Sequence, residues 1–252
     1  MVCVFYLTSF STHIKKQSNS SVGVSIKASS EEKFEDVGCN IDWHRYLSGL
    51  RKALSIKGSG LAFVCHPNDC DLKQLATTAT TLGVASLNIS LYTPIFSKGQ
   101  WSSDYTWEEL GEMIKNISNQ LFQAEKILQG KIYLRCSYPL CLWNKHFIRD
   151  MIDRKQIQTG CHLSKRSGVV FDTDGSLLVC NHLFPYPIGK YGKDFLTPEE
   201  FTNFFTRKSV VEIYDKLACY PSEKCQHCSQ YDICAGGCSI LWTYFNPVDI
   251  IK

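Results

Sequence analysis

Apolar residues along the chain recur in two alternating rhythms. Short apolar runs bounded by polar or glycine positions occupy residues 2–7, 22–27, 60–65, 86–91 and 131–136, each the length of a buried strand. Between them the spacing becomes helical. Tyr46, Leu47, Leu50 and Leu54 share one face of a predicted helix over residues 43–54. Leu72, Leu75, Ala76, Ala79 and Leu82 do the same over residues 71–82, with Gly83 placed to end that helix in a left-handed turn. Thr106-Trp107-Glu108-Glu109 has the form of a capping box and opens a long helix to Leu128, which Gly130 is expected to stop. Strands alternating with helices predict a parallel sheet of four or five strands built from βαβ units, with loops at the strand carboxyl ends available for a site. Residues 9–21 read as polar connection with a helical turn.

The rhythm changes beyond residue 143. Residues 144–157 read as a linking helix, and 167–179 as a β-hairpin whose β-branched and apolar runs flank Asp174-Gly175, a turn that needs positive φ. A proline-stiffened loop follows at 181–189. Thr197-Pro198-Glu199-Glu200 starts a second capped helix, with proline pre-set for the first turn. Residues 209–218 form another helix. The chain thus divides into a leading strand and connection (1–21), an α/β domain (22–143) and a small cysteine-rich domain of hairpin plus helices (144–252).

Composition narrows the class of function. The chain has 252 residues, of which 27 are basic and 24 acidic, for a net charge of +3. That balance is too small to argue for nucleic acid or an anionic membrane surface as partner. No run reaches the length of a membrane span, and the first ten residues lack the basic start and cleavage site of an export signal. Thirteen cysteines, odd in number and clustered, then predict a reducing, cytoplasmic setting in which thiols serve metals instead of disulfides.

Four of those cysteines form C-x2-C-x5-C-x3-C: Cys225, Cys228, Cys234 and Cys238. Thiolates are soft donors suited to zinc or iron-sulfur clusters, and short gaps let one loop turn several sulfurs toward one centre. Gly236 and Gly237 allow backbone to pass close by. A structural zinc knuckle and cysteines packed in a core remain the alternatives. Upstream, Cys161 and Cys180 flank the predicted hairpin, which brings them back toward each other. Cys65 with Cys70, and Cys136 with Cys141, are pairs at strand ends for which core packing is the expected role.

Together, Cys161 and Cys180 around Gly175, followed by the C-x2-C-x5-C-x3-C run, resemble the SPASM domain of radical SAM enzymes that modify peptides and proteins. The resemblance covers about residues 155–245. It implies the second half of a partial (β/α)6 radical SAM barrel followed by a SPASM domain carrying two auxiliary 4Fe-4S clusters. Cys161, Cys180 and Cys238 would hold one, and Cys225, Cys228 and Cys234 the other, with the remaining positions filled by Asp249, His162 or His182 or left open for a substrate sulfur or amide, and Cys219 a spare thiol whose expected role is local packing. Ser25, Lys27, Asn88 and Ser90 would lie at strand ends facing S-adenosylmethionine. The family's C-x3-C-x2-C loop is absent from the sequence, so S-adenosylmethionine chemistry is expected only if the missing half is supplied, for instance by a complete radical SAM partner. The implied substrate is a peptide or protein. A zinc- or cluster-stabilised peptide-binding accessory module is the alternative, and a nonfunctional remnant of such an enzyme is a third reading.

Overall fold

The computed structural model describes residues 23–251 apart from 39, 57, 58, 162, 164, 165, 167 and 219. The strand expected at 2–7 and the helical turn after it lie outside the described residues. The remaining chain forms two compact units that interleave along the sequence. One comprises the chain up to Tyr92 with 105–135 and 143–158, and the other comprises 93–104, 136–142 and the chain from Thr159.

The first unit is a parallel α/β sheet. Strands β1 (Gly23–Ser25), β2 (Gly60–Cys65), β3 (Ser86–Leu91), β6 (Lys131–Arg135) and β7 (Ile157–Gln158) pair in that order, all parallel. Helices α1 (Glu31–Asp36) and α2 (Trp43–Leu54) connect the first two strands, α3 (Leu72–Thr81) the next, α4 (Trp107–Leu128) leads into β6, and α5 (Lys145–Asp153) crosses to β7. The apolar alternation explains the arrangement. Leu61, Phe63, Leu87, Ile89, Ile132 and Leu134 are all buried, on the face that meets the apolar stripes of the helices. The capping box at Thr106 is formed, with Glu109 N–H donating to Thr106 Oγ1 and Thr106 N–H to the Glu109 carboxylate.

Two expectations give way here. Residues 144–157 are not one linking helix: α5 stops at Asp153, Lys155 takes a left-handed φ of 55°, and Ile157 and Gln158 join the sheet beside β6. The carboxylate of Glu125, buried at the end of α4, explains why. It accepts from Ile132 N–H at 2.9 Å and bonds Arg154 and Gln156, whose side chain also donates to Ile132 O at 2.9 Å. That network ties the turn after α5 to β6, so the sheet domain does not end at 143. The left-handed residue closing α4 is Gln129, at φ 52°, one place before Gly130.

The second unit is built on short elements. A hairpin, β4 (Ile95–Ser97) with β5 (Gln100–Ser102), is antiparallel, and β8 (Val170–Phe171), β9 (Ser176–Leu178) and β10 (Gly189–Lys190) form a three-stranded antiparallel sheet. The expected turn is present, Gly175 having φ 84°. Helices α6 (Pro198–Phe205), α7 (Lys208–Leu217), α8 (Glu223–Gln226), α9 (Tyr231–Cys234) and α10 (Pro247–Ile250) complete it. Leu177, Val179, Leu183, Phe195, Phe204, Val210, Tyr214 and Ile240 form its core, with Cys161 and Cys238 packed against it. Among the described residues, no helix is long and apolar enough to cross a membrane.

Candidate functional site

Two regions carry chemistry, one in each unit. In the sheet unit, strand register sets side chains in rows across the face turned away from the buried apolar one. Ser25, Ala62, Asn88 and Tyr133 are aligned partners, and Val64, Ser90, Arg135 and Gln158 form the next row. A parallel sheet ordinarily buries both faces. This one keeps a polar face whose β2 positions are small, and a cleft of ≈ 780 Å³ lies along it. Asn88, Ser90, Tyr133, Arg135 and Gln158 line that cleft with Gly60 and Ala62. Asn88 and Ser90, two places apart on β3, share the face that lines this cleft. Ser25 and Lys27 are not among the lining residues. Their backbone is fixed instead by Tyr46, whose hydroxyl donates to Ser25 O at 3.2 Å and accepts from Lys27 N–H at 2.9 Å.

In the second unit the cysteines form two groups. The first gathers Cys161, Cys180 and Cys238, residues up to 77 positions apart in the numbering. The thiols of Cys238 and Cys161 are hydrogen-bonded, and this bond, followed by burial and the nearby Cys161 and Cys180, pushes the Cys238 thiol well above its ordinary value. Leu163 N–H donates to Cys161 Sγ at 3.5 Å.

The second group gathers Cys225, Cys228 and Cys234 on and between α8 and α9. Burial pushes the Cys225 thiol up, and Cys234 and Cys228 add to this. A fourth cysteine lies near the same group. Although the residue as a whole is exposed, surrounding atoms shield its sulfur from water enough to raise the Cys141 thiol, and next in size come the charges of Cys234 and Cys225, with a smaller contribution from Cys228. Cys141 lies in a 3-10 turn, Leu140–Leu142, and is exposed, so it does not pack in the core as expected. Its partner Cys136 is buried, and its thiol donates to Tyr138 O at 3.2 Å. The other pair divides similarly, Cys65 being buried and Cys70 half-buried.

Backbone bonds lock the Cys141 segment against the cysteine run. Leu140 N–H donates to Cys234 Sγ at 3.2 Å, and Cys238 N–H donates to Ser137 O at 2.7 Å. Gly237 permits the approach: a Cβ there would lie 2.8 Å from Pro139 Cδ and 3.0 Å from Ser137 O, and its φ is 81°. Of the oxygen and nitrogen donors considered for the remaining ligand positions, Asp249 accepts from Asn246 at 2.9 Å and His182 meets Thr93 at 3.3 Å. His162 lies outside the described residues.

Thiols crowded together and partly buried resist ionisation because each thiolate repels the next. A bound cationic centre reverses that balance and holds them as thiolates. Among the described residues, no group of three or more His, Cys, Asp or Glu is arranged to hold a single metal ion.

No protein-family model matches the sequence, and no curated protein matches it. Two crystal structures of SuiB from Streptococcus suis are similar in fold, with TM-scores of 0.57 and 0.58 at 13% identity. In the second of these, SuiB is bound to S-adenosylmethionine. The likeness covers 92% of this chain and 54% and 53% of the two SuiB chains, so this chain spans about half the length of SuiB. The chain shares its fold with that part of SuiB.

Proposed function

We propose that the chain is an iron-sulfur protein of the radical SAM/SPASM type, related to enzymes that modify peptides or proteins, whose two cysteine groups hold two auxiliary 4Fe-4S clusters. The observation that carries this reading is the convergence of sulfurs from separate parts of the sequence: Cys161 and Cys180 with Cys238, and Cys225, Cys228 and Cys234 on the neighbouring loops. The first group lies within the apolar core of its unit, and what sets it apart from ordinary core cysteines is that its thiols are neighbours of one another. Here they face one another beside backbone N–H donors, the surroundings that suit a thiolate-ligated cluster.

Such clusters, when bound, pass single electrons at potentials set by ligands, hydrogen bonds and exposure. This chain's own contribution is to hold the sulfurs and tune them. Leu140 N–H and Leu163 N–H each point at a ligand sulfur, which favours the thiolate over the thiol. Phe195, Phe204 and Tyr214 pack around the first group and limit access of water. On the sheet, Asn88, Ser90 and Arg135 offer donors and acceptors along an open cleft. SuiB binds S-adenosylmethionine, and that cleft is where this chain would take the same cofactor once a C-x3-C-x2-C cluster is supplied by another chain. The substrate is a peptide or protein, and the setting is the reducing cytoplasm.

Anaerobic reconstitution with ferrous iron and sulfide tests the reading. Broad absorption near ~400 nm and about eight irons with eight sulfides per chain are expected. A colourless protein that takes up one or two zinc ions instead would replace the cluster reading with a structural module that binds peptide without redox work.

A further inference from the structure

We propose that Cys141 is the fourth thiolate of the centre formed by Cys225, Cys228 and Cys234. The inference rests on the iron-sulfur reading above and supplies a ligand that the cysteine spacing does not contain. A four-iron cluster takes one protein ligand per iron, and the run leaves one iron of this centre without a sulfur once Cys238 is drawn to Cys161.

The position of Cys141 is fixed by backbone, not by its own side chain. Residues 137–140 are held against the run at two points, through Leu140 N–H on Cys234 Sγ at 3.2 Å and Ser137 O on Cys238 N–H at 2.7 Å. Gly237 passes so close to Pro139 that no side chain fits between them. Cys141 follows Leu140 in the same 3-10 turn, which places it in the neighbourhood of Cys234, Cys225 and Cys228. Its neighbour Cys136 is turned the other way, into the core, bonded to Tyr138 O. Cysteine is among the most buried residue types, so an exposed cysteine beside three others calls for a reason, and ligation supplies one.

The test compares the reconstituted wild type with Cys141→Ala, Cys234→Ala and the double variant, reading iron per chain. Wild type should hold about eight irons, each single variant about half as many, and the double variant no fewer than either single one. Because a substitution can also impair folding, a second measurement uses the unaltered chain: iodoacetamide labelling with and without iron and sulfide, followed by peptide mass spectrometry. Cys141 should be labelled about tenfold more slowly in the loaded protein. Full iron in Cys141→Ala while Cys234→Ala loses half, or equal labelling of Cys141 in both states, would overturn the assignment alone. A wild type that takes up no iron would overturn it together with the reading beneath it.

Discussion

Leu140 and Cys234, 94 positions apart, are joined by a backbone N–H to sulfur hydrogen bond of 3.2 Å. The contact exists because the chain leaving the last long strand of the sheet turns back onto the cysteine run, and because Gly237 lets Pro139 come close. It follows that Gly237→Ala should be poorly tolerated. The new methyl group would need to displace Pro139 while the residue holds a left-handed φ, at a cost of roughly 1–3 kcal/mol. Denaturant unfolding should show that loss, and iron uptake by the second cysteine group should fall with it. Wild-type stability and iron content would contradict the packing described.

Glu125 is the counterpart in the sheet unit. Its buried carboxylate satisfies Ile132 N–H, Arg154 and Gln156 together. Glu125→Ala should therefore cost roughly 2–4 kcal/mol, since it strands a buried N–H and removes the partner of a charge at once. Chemical denaturation measures it. Hydrogen exchange should also rise at β7 more than at β3, because the network is what attaches the short edge strand.

The hairpin turn carries a pH signature. Asp174 accepts from Lys190 at 2.9 Å and from Ser176 N–H at 2.9 Å, and the Lys190 bond, then those from Ser176, hold its carboxyl down at about 2. A carboxyl depressed in the folded state binds fewer protons than when unfolded, so its stabilising effect is present above the ordinary value of 3.8 and is lost as pH falls toward 2. Carboxyl-detected NMR titration should find Asp174 protonating near 2. In Asp174→Asn the stability between about pH 4 and about pH 2 should fall less steeply than in wild type. A midpoint near 3.8 would show that the turn bonds do not persist in solution.

The missing spacing has a functional consequence. The sequence holds no C-x3-C-x2-C, so the reconstituted chain, reduced with dithionite in the presence of S-adenosylmethionine, should release no 5′-deoxyadenosine above the protein-free control. Liquid chromatography of the reaction decides it. Clear release from the purified chain would mean that one of its cysteine groups performs the cleavage itself.

Much of this architecture was legible in the residue pattern, for physical reasons that also mark where legibility ended. The strands at 60–65 and 86–91 and the helices at 43–54 and 107–128 are long, strongly periodic and capped, so local preference and tertiary burial agree. The strand at 157–158 carries no periodicity in two residues and exists because Glu125, Arg154 and Gln156 hold it to Ile132. Asn88 and Ser90 could be placed from alternation within a strand, whereas Ser25 and Lys27 depend on where Tyr46 bonds the backbone. The run from Cys225 to Cys238 announced itself by spacing. Cys141 could not, because its nearness to Cys234 is a product of the fold.

The separateness of the two sulfur groups is the claim on which the functional account stands, and electron paramagnetic resonance of the dithionite-reduced, reconstituted chain probes it most directly. Wild type should give two overlapping cluster signals. Cys180→Ala should keep one, Cys234→Ala should keep the other, and the two residual spectra should sum to that of wild type. A single signal in wild type that either substitution abolishes, or no cluster signal in any of the three proteins, would contradict it.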